Sequence, residues 1–200
     1  MKKNMLVVGG AAVVVVAVVI GAVVMHKGPG SGGSSGGSGN TAGAAAQAGT
    51  PAGGSYTVVS ACKALTLADA TAVLGKGTKA GSANGSSDTA SGDVSVSTCS
   101  YSGAAGLTIE DTKTVTLLSR SAKTKAGADS NESIFTTSKP TGKQDVPGVG
   151  DAAFWDAQLS QLDVLQHHNW YIIGNMSGAH ADSGTLDVSK AVYSQIKAKL

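Results

Sequence analysis

Only two cysteines occur in this 200-residue sequence, Cys62 and Cys99. Zinc sites and dithiol redox centres set their thiols a few residues apart or close to histidines. Neither arrangement is present here, because no histidine is near either thiol in the sequence. The chemistry expected of the pair is therefore oxidation to a structural disulfide wherever the compartment allows it. Such a bridge closes a loop of about 37 residues, and lost chain entropy in the unfolded state makes it worth roughly 3–4 kcal/mol.

The remaining candidates for chemistry are sparse. His167, His168, His180 and Asp182 are residue types that bind metals. The two adjacent histidines would point to opposite faces of a strand, so only one of them could join His180, and exposed turn histidines are the expectation. Asp151, Asp156 and Asp163 could supply a general acid and base, although solvated carboxylates are the ordinary state of such residues. Serines are plentiful, but no Gly-x-Ser-x-Gly elbow is present. Gly148-x-Gly150 is too short for a phosphate-cradling loop and lies outside any βαβ pattern. Trp155 and Trp170 could line a ligand groove, against the commoner role of a strand tryptophan in a core. No catalytic residue, metal ligand set or cofactor is assigned.

These residues must be positioned by the elements between Tyr56 and Leu200. Thr66 followed by Asp69 gives a capping box for a short helix to Leu74, closed by Gly75. Lys76–Gly92 reads as a polar Gly/Ser loop. Alternation over Val94–Tyr101 predicts a strand, as do Gly106–Glu110 and Thr114–Arg120. A short helix is expected around Asn131–Phe135, and turn chemistry at Val146–Gly150. Phe154–Gln158 and Leu159–Gln166 read as strands. Trp170–Met176 is the strongest strand signal, with His168-Asn169 as the turn before it. Val188, Val192, Ile196 and Leu200 share one face of a final helix over Leu186–Leu200. Short connections favour antiparallel pairing. The expected fold class is α+β: a mostly antiparallel sheet with helices on one face, preceded by a single N-terminal transmembrane helix and a flexible linker.

The N-terminus explains that last clause. Met5–Met25 carries no charge, and a helix of this length spans roughly 30 Å, the thickness of a bilayer core. The apolar block exceeds the 7–15 residues usual in a cleaved signal peptide. No cysteine follows it for lipid attachment. Lys2 and Lys3 precede it and Lys27 follows, so the positive-inside rule puts the remainder of the chain outside. Residues 28–54 are nearly all Gly, Ser, Ala and Thr, a composition that buries too little apolar surface to fold. Three parts result: an anchor over 1–27, a linker over 28–54 and an extracytoplasmic domain over 55–200. With Lys2, Lys3 and Lys27 set aside, that domain carries 12 Lys and Arg against 13 Asp and Glu. Arg120 is the one arginine, and no basic run exists, which argues against nucleic acid.

Cys62-Lys63-Ala64-Leu65-Thr66, then Ala70–Gly75, Cys99-Ser100-Tyr101, and Val146-Pro147-Gly148-Val149-Gly150-Asp151-Ala152-Ala153 together resemble a family of secreted actinobacterial lipoprotein-type domains of unknown function. The resemblance covers residues 58–200. It implies an envelope location, a Cys62–Cys99 disulfide and an α+β fold, and it brings no catalytic residues. The chain differs in having an apolar helix where many relatives have a lipid-modified cysteine. The expected function is a membrane-anchored binding or interaction domain whose ligand is a lipid, a glycan or an envelope protein. The alternatives are an envelope hydrolase using aspartates, and a structural or assembly factor of the envelope.

Overall fold

Thr66 and Asp69 form the capping box that their spacing anticipates. The Asp69 amide donates to Thr66 Oγ1 at 3.3 Å, and the Thr66 amide donates to Asp69 Oδ2 at 2.8 Å. This start fixes helix α2 (Leu67–Leu74), which Gly75 ends at φ 93°. The computed structural model describes residues 55–81, 85–88, 92–103, 112–139, 141–178, 180 and 182–200. The expected membrane segment, the linker and the strand at 106–110 lie outside them. Before α2 comes a single turn, α1 (Ala61–Ala64).

Among the described residues, eight strands make one antiparallel sheet: β1 (Lys79–Ala80), β2 (Gly85–Asp88), β3 (Val94–Ser102), β4 (Lys113–Ala122), β5 (Gln144–Asp145), β6 (Ala152–Asp156), β7 (Gln161–Gln166) and β8 (Asn169–Ser177). The order across the sheet is β1-β3-β4-β8-β7-β6-β5, with β2 also paired to β3. The stretch read as a polar loop over Lys76–Gly92 therefore contains two short strands that cover the outer edge of β3. Their sequences carry no hydrophobic alternation, so backbone pairing with β3 defines them rather than any pattern of their own.

Register shows why the central strands are apolar on both sides. Cys99, Leu117, Ile173, Leu162 and Trp155 stand in one cross-strand row. Thr98, Leu118, Ile172, Asp163 and Phe154 form the adjacent row. Side chains alternate along a strand, so the two rows face opposite ways. The first face carries α1, α2 and α4 (Leu186–Ile196), and its core includes Leu65, Val192, Tyr193 and Ile196. The second carries α3 (Lys125–Ser138), whose Phe135 meets Phe154 with ring centroids 5.1 Å apart.

Helices thus cover both faces, which corrects the expectation of one. The α3 sequence, with Gly, Asn, Ser and Thr through its length, gives a weak apolar stripe of Ile134 and Phe135, and its packing side cannot be read from that pattern. The layers differ in depth: a cluster of 20 buried apolar residues lies on the first face, against a cluster of five on the second with Val94, Ala122 and Ala128 buried beside it. Each fully buried Leu, Ile or Phe contributes about 1.5–3 kcal/mol, so the first face carries most of the apolar stabilisation.

Cys62 and Cys99 are disulfide-bonded, with Cα atoms 5.0 Å apart. The bridge pins α1 to β3. Beside it, Ser97 and Ser121 accept hydrogen bonds from the Ala61 and Val59 amides at 2.8 and 2.9 Å. Asn169 donates to the Thr57 carbonyl at 3.1 Å and accepts from the Ala122 amide at 2.8 Å. The segment that leads into the domain is therefore stitched across β3, β4 and β8.

Candidate functional site

The turn between β7 and β8 is two residues long, His167 and His168, with φ 50° and 67°. Hairpins of this kind favour Asn-Gly because both central residues must adopt positive φ. A non-glycine residue in that region costs roughly 1–2 kcal/mol. Histidine accepts it more readily than most residues, yet the backbone alone gives no reason to place two here. The expected turn at His168-Asn169 is displaced by one residue, because Asn169 is needed inside the sheet, where it also donates to Tyr171 Oη at 3.0 Å.

Each histidine has its own surroundings. His168 lies edge-on to Tyr56, ring centroids 6.1 Å apart, and its Nδ1 is 3.5 Å from Glu132 Oε1, an ion pair only when the imidazole is protonated. His167 lines an open cleft of about 390 Å³, with Gly148, Gly150, Asp151, Tyr193 and Lys197 among its walls.

The floor of that cleft is fixed by hydrogen bonds. Gly150 N donates to Tyr193 Oη at 2.8 Å, and Tyr193 Oη donates to Gln166 Oε1 at 2.8 Å. Asp151 N donates to the Leu165 carbonyl, and Asp151 Oδ2 accepts from His167 N, both at 2.8 Å. Gly150 has φ 57°, and a Cβ there would sit 2.6 Å from the Leu165 carbonyl oxygen. Gly150 thus serves close approach to β7, whereas Gly148 serves the turn through its φ of 77°. The His167 imidazole, the Lys197 ammonium and Asp151 Oδ1 make no hydrogen bond or ion pair among the described residues. The cleft therefore offers a cation, an acceptor and an amphoteric ring to a polar ligand, and no Ser, Thr or Cys nucleophile is among its walls.

Other sequence candidates fall elsewhere. His180 pairs with Ser177 at the far end of β8, roughly 30 Å from His168 at 3.3 Å per strand residue, so the histidines and Asp182 do not assemble. Trp155 and Trp170 are both buried and lie on opposite faces of the sheet. They are core residues and do not line one groove.

The aspartates divide. Asp151 is exposed at one end of β6 and Asp156 is at the other, about 17 Å away by strand rise. Asp156 and Asp163 are neighbours on the second face, and both are buried rather than solvated. Asp156 pairs with Lys143 and accepts from the Gln158 and Leu159 amides, at 2.9 and 3.2 Å. Asp163 Oδ1 accepts from Trp170 Nε1 at 2.9 Å. Burial pushes the Asp163 carboxyl up to about 7; the Trp170 bond and Lys143 oppose the rise, and the Asp156 charge adds to it.

Comparison with known proteins returns no match to a family model, a characterised protein or a solved structure. Tyr193, Gln166 and Lys197 were not singled out by sequence reasoning. Tyr193 looks like a residue flanking the apolar stripe of the last helix, and nothing in sequence links it to a turn 43 residues earlier.

Proposed function

We propose that this chain is a binding or interaction domain, held at the outer side of a cell membrane by its uncharged 5–25 segment and joined to it through residues 28–54. In this reading the cleft beside His167 receives a polar ligand, such as a glycan or a segment of an envelope protein, and performs no chemistry on it. The observation that carries the proposal is the His167–His168 turn. Its backbone favours asparagine and glycine, yet it presents two imidazoles, one of them unpaired at the cleft mouth. Non-glycine residues in such conformations cluster at functional sites. The Cys62–Cys99 bridge supports an oxidising location outside the cytosol.

The hydrolase alternative is weaker. Its two neighbouring aspartates are buried beside a lysine and a tryptophan, and the one exposed aspartate stands at the opposite end of β6.

Native mass spectrometry of the full chain, extracted from membranes in mild detergent, tests the binding role. The expected result is an added mass that disappears in a His167→Ala/Lys197→Ala double variant. An added mass retained by that variant would move binding away from the cleft. Protease treatment of intact cells tests the topology: digestion of the 55–200 region is expected, and full protection would refute an outer location.

A further inference from the structure

The second face of the sheet combines a thin apolar layer with buried charge. Its buried apolar cluster is Leu118, Phe135, Phe154, Trp170 and Ile172, and Val94, Ala122 and Ala128 are buried beside it. Asp163 stands in register between Phe154 and Ile172 and is 5% exposed. Helix α3 closes the layer from above through Phe135, with Ile134 beside it. Its other attachment is polar: Asn131 Nδ2 donates to the Arg120 and His168 carbonyls at 3.0 and 2.8 Å, and Asn131 Oδ1 accepts from the Arg120 guanidinium. One half of α3 is thus tied by hydrogen bonds and by close packing of Gly127 on Asp93 and Val94, and the other half rests on Phe135 against Phe154, the cross-strand neighbour of Asp163.

We propose that α3 is a pH-responsive cover: when Asp163 ionises, the Phe135 half of α3 loosens and the layer of Phe154, Trp170 and Ile172 becomes accessible. The charged groups around Asp163 set the direction. From β6, Asp156 adds a like charge. From the segment before β5, Lys143 is already paired with Asp156. β8 offers only the Trp170 indole N–H. On α3, Lys125 and Asp129 pair with each other in solvent, and Glu132 faces His168. Arg120 on β4 is engaged by Asn131 and Ser130. Lys143 is thus the cation that acts on Asp163, and it is shared with Asp156.

The raised carboxyl of the folded state supports the same sign. A group whose folded pKa lies above its unfolded value favours folding while protonated, and that contribution fades as pH rises through about 7. The unfolding event is local because the Phe135 half of α3 belongs to a cluster of five buried apolar residues, whereas α4 and the disulfide-pinned α1 share a cluster of 20.

Hydrogen–deuterium exchange on the full chain in detergent, at pH 5.5 and 8.5 and corrected for intrinsic exchange, tests the device. The expected result is about a tenfold loss of protection in 132–138 at the higher pH, with α4 unchanged, and no such loss in Asp163→Asn. Asp163→Ala serves if the asparagine variant does not fold. His168→Gln separates the Glu132 contact and is expected to keep the pH effect. Equal loss in α3 and α4, no loss in α3, or a loss that persists in both Asp163 variants overturns the proposal.

Discussion

Removing the disulfide should cost this domain about 4 kcal/mol. The perturbation is the double variant Cys62→Ala/Cys99→Ala, which frees a loop of 37 residues. With the loop-entropy relation, that length corresponds to roughly 13 cal/mol/K, or about 4 kcal/mol at room temperature. Cys99 is fully buried between β4 and α1, and its truncation to alanine adds a small packing loss of about 1 kcal/mol. For a domain of this size each kcal/mol lowers Tm by about 2–4 °C, so a fall on the order of 10 °C is expected. The assay is urea unfolding of the full chain from an oxidising compartment, read by tryptophan fluorescence, with the variant alongside. Non-reducing peptide mapping should show the Cys62–Cys99 link in the wild type. A variant within about 1 kcal/mol of wild type would refute the argument, because the loop would then be equally restricted without the bond.

Two further outcomes follow from charged pairs. Asp156→Ala leaves the Lys143 ammonium, only 12% exposed, without its partner and removes the acceptor of two turn amides. A loss of about 3–5 kcal/mol in urea midpoint analysis is expected, and a loss under about 1 kcal/mol would mean that water reaches the pair. At Asp69, burial acts to raise the carboxyl, but hydrogen bonds from Lys199 and Thr66 outweigh it and hold the group below its ordinary value. A lowered folded pKa stabilises the fold above the unfolded value and loses that effect as pH falls through the folded one. Asp69→Asn should therefore cost about 1 kcal/mol near neutrality, with the gap closing in thermal melts as pH falls below the ordinary carboxylate range.

The parts of the fold legible in sequence are those with strong local codes. Thr66 with Asp69 and Gly75 bounded a helix correctly because capping is settled within a few residues. Val192 and Ile196 marked the buried stripe of α4 by simple period, with Val188 partly buried at its edge. β8 announced itself through Trp170-Tyr171-Ile172-Ile173, apolar on both faces because both are covered. What stayed hidden depends on distant partners. β1 and β2 exist through pairing with β3, and α3 lies on the second face for reasons that reside in Phe154 and Ile172. The cleft joins a turn at 148–151, a hairpin at 166–167 and the last helix turn. Asp156 and Asp163 looked like surface residues, and only register across β6 and β7 reveals that both are enclosed.

The stitching of the entry segment has a mechanical side. A pull on the chain from its N-terminal side meets Asn169 at Thr57, Ser121 at Val59, Ser97 at Ala61 and then the covalent bond at Cys62. The load passes within six residues from solvent into β8, β4 and β3, the middle of the sheet, rather than peeling an edge. Beyond that point the chain between the cysteines, a sequence separation of 37, cannot extend, which withholds about 130 Å of contour length from any stretching event. A domain of this build should yield late under tension and lengthen little at first, with helix α2 and the edge strands β1 and β2 shielded from the force.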